Sequence, residues 1–116
     1  MKKYKAIYLQ QDTDLVTGED VLLDFIIVNE EGTIQTDLSS WTFNADLQTT
    51  STEIQLAWGT EVTATGVKVT VAIANTVTDD LAQLSYEFEL VGELNSKKYH
   101  LYFNIFNFRK ENLSWD

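Results

Sequence analysis

The sequence contains no cysteine and no proline, and only one histidine and one methionine. Without cysteine there are no disulfides and no thiolate metal sites, so the fold must stand on packing alone in any redox compartment. Average usage would place about five or six prolines in this length, so any sheet edge has to be guarded by charge or by a partner. The five glycines, Gly18, Gly32, Gly59, Gly66 and Gly92, are scattered singly, which leaves no loop able to cradle a phosphate. Basic residues are also missing from the body of the chain. Between Asp12 and Ser96, sixteen acidic residues face a single lysine, Lys68, and the net charge is -10. Such a body repels a phosphate backbone, so no nucleic-acid partner is expected. Long apolar runs are absent as well. Ala6-Ile7-Tyr8-Leu9 follows a basic start but runs at once into Gln10, Gln11 and Asp12, too short for export or a bilayer. The expectation is a cytosolic product with no signal peptide and no membrane segment.

What is present is the material of a packed core. With 44% hydrophobic and 12% aromatic residues, the 116-residue chain has the profile of one globular domain, 1–116. Its dominant period is two. Val67, Val69, Val71 and Ile73 share one face of a strand, and Leu84, Tyr86, Phe88 and Leu90 alternate with Ser85, Glu87 and Glu89. Trp41 to Leu47 repeats the alternation, and Ile54 to Trp58 is a shorter version. Val21 to Val28 and Tyr99 to Phe108 carry apolar residues on both faces for part of their length, as strands do that lie mid-sheet or meet a partner. Lys3 to Gln11 reads as a first strand whose inward face is ambiguous.

Turn chemistry separates these runs at 14–20, 29–33, 49–53, 63–66 and 92–97, with Gly32 placed for positive φ in Asn29-Glu30-Glu31-Gly32-Thr33. The one helical candidate is a single turn at 78–82, with Thr78 or Asp79 as its cap. The pattern predicts an all-β, antiparallel two-sheet sandwich of about seven strands.

No catalytic constellation is visible. His100 lies inside a strand, with no cysteine to partner it, and reads as a half-exposed strand residue. Glu87 and Glu89 stand about 6–7 Å apart on one strand face, the ordinary pattern of a solvated face. Asp12-Thr13-Asp14, Glu19-Asp20, Glu30-Glu31 and Asp79-Asp80 offer hard oxygen ligands, but none matches the spacing of a calcium loop. No catalytic, metal or cofactor residue is assigned. Trp41 is expected in the core, and Trp115, outside any strand, is a candidate for docking on a neighbouring subunit. Asn112-Leu113-Ser114 matches a glycosylation sequon without an export signal to give it meaning.

The order of signals from Gly18-Glu19-Asp20-Val21-Leu22-Leu23-Asp24-Phe25, through the Asn-Glu-Glu-Gly loop, to Thr36-Asp37-Leu38-Ser39-Ser40-Trp41-Thr42-Phe43-Asn44-Ala45 resembles small immunoglobulin-like domains of tailed-bacteriophage virion proteins. Upper baseplate proteins and tail or head-fibre modules are of this type. The later Val67 to Ile73 strand, the Thr78 to Leu81 turn and Leu84 to Leu90 follow the same order, so the resemblance covers about Gly18 to Phe108. Ser39-Ser40 and Leu84-Ser85 depart from its usual threonine and glycine positions.

The resemblance implies an immunoglobulin-like sandwich and a structural subunit of the virion, in baseplate, tail, neck or capsid decoration, assembled in the host cytoplasm. It implies no enzyme. The expected partners are other virion proteins or further copies in a homo-oligomer or ring. The basic ends, Lys2, Lys3, Lys5, Arg109 and Lys110, together with Trp115, are the expected interface. The alternative, from a different class, is a calcium-assisted carbohydrate-binding module presenting Trp58 or Tyr86 at a host surface.

Overall fold

The computed structural model describes residues 3–10, 12–81 and 85–110, with Lys110 described by its backbone alone. Nine strands run in chain order: β1 (Tyr4–Tyr8), β2 (Asp14–Thr17), β3 (Val21–Asn29), β4 (Trp41–Gln48), β5 (Glu53–Leu56), β6 (Val62–Thr65), β7 (Lys68–Ile73), β8 (Ser85–Leu94) and β9 (Lys97–Lys110). One helical turn, α1 (Asn75–Thr78), separates β7 from β8. They form two sheets, β1-β3-β7-β6 and β2-β9-β8-β4-β5. Every pairing is antiparallel except that of β2 with β9, which is parallel.

The alternation in the sequence sets which side chains meet between the sheets. Tyr4, Ala6 and Tyr8 turn inward from β1, which settles the face that the sequence left open. Leu23, Phe25 and Ile27 of β3 meet Phe43, Leu47, Phe88, Leu90 and Phe106 of the other sheet, all at 2% exposure or less. Phe25 of β3 stacks on Phe88 of β8 with ring centroids 5.9 Å apart and planes within 3°. Trp41 is buried as expected and stacks on Phe43 at 5.4 Å, while Tyr4 meets it edge-on at 5.0 Å.

Gly92 makes that tryptophan's position possible. It lies inside β8, opposite Phe43 and Tyr99, and not in a turn as the sequence predicts. A Cβ there would stand 2.7 Å from Leu101 Cδ1 and 2.8 Å from Trp41 Cζ3. The turn itself is shorter: Asn95 and Ser96 both hold positive φ, 53° and 67°, as a two-residue type I′ hairpin requires. The segment 63–66, also expected as a turn, is mostly strand β6, and its hairpin to β7 is closed by Gly66 and Val67 alone.

The helical turn is displaced from its expected place at 78–82. Thr78 ends α1 where the sequence makes it a candidate cap, and Ala82 lies outside the described residues. The carboxylate that serves the turn comes from a distant strand connection, since Asp20 Oδ1 accepts the Asn75 backbone N–H at 2.6 Å. Thr78, fully buried, accepts the Gly18 N–H at 3.1 Å and donates to the Glu19 carbonyl at 2.7 Å. It thereby ties the turn to the β2–β3 connection.

Candidate interaction surfaces

Because side chains alternate, each sheet also has an outer face, and here the two differ. On the five-stranded sheet the outward positions include Asp14, Asp46, Glu53, Glu87, Glu89 and Glu93. The cations there, Lys98 and Arg109, sit towards opposite ends of β9. On this acidic face two large apolar side chains of β9 are bare: Phe103 is 58% exposed and Ile105 46%. Phe103 stands opposite Glu89, which in turn stands opposite Asp46, so one row across β9, β8 and β4 reads aromatic, carboxylate, carboxylate.

Asp46 is the strained member of that row. Its Oδ1 is buried and makes no hydrogen bond among the described residues. Burial holds its carboxyl above the usual carboxylate range, and the charges of Glu89 and then Glu53 add to the shift. A groove of about 250 Å³ runs beside it, lined by Asn44, Asp46, Gln55, Glu89 and Val91.

A bulge in the β8–β9 pairing at Leu90/Val91 turns both Leu101 and Tyr102 inward and sends His100 outward. His100 Nδ1 lies 3.0 Å from Glu89 Oε2. The side chain is exposed, in line with the sequence reading, and no hydroxyl bonds it among the described residues.

The outer face of the four-stranded sheet has three charged strand positions, Lys5, Asp24 and Lys68. Asp24 is occupied: it accepts from the Thr70 hydroxyl at 2.7 Å and pairs with Lys68 at 3.9 Å. Between them runs an apolar stripe. Ile7 stands opposite Ile26, and Ile26 opposite Lys68, with Leu22 further along β3 and Ile34 bridged to Val28 at the other end. Leu22 is 60% exposed, Ile34 45%, Leu9 44% and Ile7 40%.

The basic residues expected to form one interface are divided between two poles. Tyr4 packs on Tyr99 at 5.0 Å, which puts Lys3 and Lys5 at the same pole as the start of β9 with Lys97 and Lys98. Arg109 and Lys110 pair with Val16 and Thr17 at the far end of the same strand, about 30 Å away at the rise of an extended chain. Lys2 and Trp115 lie outside the described residues. Of the aromatics considered for sugar binding, Tyr86 is buried, edge-on against Phe108, with 4% of its surface exposed. Trp58 is 36% exposed, with its ring edge-on to Phe43. Among the described residues no three His, Cys, Asp or Glu side chains are grouped to hold a metal ion, and no helix is long and apolar enough to cross a membrane.

This arrangement is an immunoglobulin-like β-sandwich. β1, β3, β7 and β6 occupy the A, B, E and D positions of that fold, and β4, β8 and β9 the C, F and G positions, extended by β5 and by β2. A solved structure supports the fold. A chain from the crystal structure of the titin M10 and obscurin-like 1 Ig mutant complex superposes with a TM-score of 0.52 at 9% identity, covering 97% of this chain and 100% of its own. Murine CRIg gives a TM-score of 0.40 at 9% identity over 97% and 99%. No protein-family model and no curated protein sequence matches the chain.

Antibody domains join strands B and F with a disulfide. Here β3 and β8 meet instead through the Phe25–Phe88 stack, and Tyr86 precedes Phe88 by two residues, the offset of that fold's corner tyrosine. The two-sided apolarity of Val21 to Val28 and Tyr99 to Phe108, visible in the sequence, is what leaves Leu22, Phe103 and Ile105 bare; the difference in charge between the two outer faces was not visible there.

Proposed function

We propose that the chain is a structural subunit of a tailed-bacteriophage virion and works by docking to other proteins. The observation that carries the docking role is the exposure of large apolar side chains on both outer faces, Leu22 on one and Phe103 on the other. An isolated domain gains nothing from such patches, whereas a neighbour that covers them gains about 25 cal/mol per Å² of apolar surface removed from water. The virion setting rests on the sequence resemblance between Gly18 and Phe108, and the immunoglobulin-like fold is consistent with it. The carbohydrate reading loses two supports, because Tyr86 is buried and no metal cluster forms among the described residues.

The test is to co-express the chain with the reading frames that flank it and to purify it by affinity tag. Co-purification with portal, tape-measure, tail or capsid products is the expected result. A glycan-array signal lost on adding chelator, with no virion protein retained, would reverse the assignment.

A further inference from the structure

The two outer faces are complementary to each other, and we propose that they bind one another between copies of this chain. On one face the cross-strand row Ile7–Ile26–Lys68 ends in a cation. On the other, the row Phe103–Glu89–Asp46 ends in two carboxylates. Laying the four-stranded sheet of one copy on the five-stranded sheet of the next covers Ile7 and Leu22 with Phe103 and Ile105. It also brings lysines towards carboxylates that have no lysine or arginine partner of their own: Glu89 is met by His100, and Asp46 is in no ion pair among the described residues.

Charge complementarity chooses the occupant. Two five-stranded faces would set six carboxylates against six, and two four-stranded faces, each with Lys5, Lys68 and the Asp24 that pairs Lys68, would set a small positive excess against its like, whereas unlike faces attract. Because the two patches are different surfaces, the contact is heterologous and repeats. The growing assembly always offers one free face of each kind, so association continues into a closed ring or an open stack.

The inference rests on the docking role but not on the virion setting, and its test uses the full chain alone. Sedimentation velocity across a concentration series follows the wild type, Ile7→Glu and Phe103→Lys, with dichroism and thermal melts checking that each is folded. Each substitution puts on its face the charge sign of the face opposite. Leu22→Glu replaces Ile7→Glu if the latter does not fold.

The expected wild-type behaviour is growth beyond the dimer, weakened by salt as screening removes the attraction. Each variant alone stays monomeric, its self-association weakened at least about tenfold, the equivalent of ~1.4 kcal/mol. An equimolar mixture of the two variants, which retains one intact face of each kind, recovers association.

A wild type that is monomeric throughout overturns the inference. So does association that ends at a dimer and is abolished by Phe103→Lys but not by Ile7→Glu, which would be an isologous contact. A monomer that still co-purifies with virion proteins would sink this inference alone. A self-associating chain that retains no virion protein would sink only the virion assignment.

Discussion

β9 is one strand with two unlike faces. Leu101, Phe106 and Phe108 turn inward at 3% exposure or less, while Phe103 and Ile105, a residue or two away, stand bare. The residue types are the same on both sides, so hydrophobicity alone does not say where a side chain belongs. What separates them is the layer each one meets: the four-stranded sheet covers the first group, and none of the described residues covers the second.

The largest effect should come from testing that contrast directly. Phe106→Ala removes a fully buried ring and should cost about 3–5 kcal/mol, read from chemical denaturation. Phe103→Ala, on the same strand, should change stability by no more than about 0.5 kcal/mol. Equal losses would mean that the outer face is already packed in the single chain.

Gly92→Ala is the next step down, because its methyl would meet Leu101 and Trp41 well inside van der Waals contact. Overpacking there should cost about 1–3 kcal/mol and alter the tryptophan fluorescence. A neutral result would show that Trp41 can shift without loss.

The smallest effect belongs to the outer face and has the opposite sign. Asp46 has its carboxyl held above the ordinary range by burial and by Glu89 and Glu53. A raised carboxyl contributes stability below its unfolded pKa and loses it as pH rises through the folded value. Asp46→Asn should therefore be close to neutral in acid and stabilise the fold towards neutral pH, by under about 1 kcal/mol. A variant whose gain is the same at acid and neutral pH would remove charge repulsion as the cause.

Much of this fold was legible because period-two alternation is imposed by one buried layer, and β4, β7 and β8 each have one. Where the sequence misled, the deciding contact was remote. Gly92 looks like turn chemistry, but its bareness serves the ring of Trp41 lying across it. α1 falls short of 78–82 because its capping carboxylate is Asp20, fifty-five residues upstream, which no local window contains. The basic ends look like one cluster in sequence, yet a fourteen-residue strand holds them at opposite poles. The acidic face was half visible, since Glu87 and Glu89 alternate plainly, but their row mates Asp46 and Phe103 are set by pairing register.

The parallel pairing of β2 with β9 has a mechanical consequence. β1 begins at one pole and β9 ends at the other, so tension applied between the two ends pulls along both strands at once. The ladders of β1 on β3 and of β2 on β9 then resist by sliding, with every rung loaded together and none peeled first. A chain connected this way carries a pulling load through its length without any covalent staple.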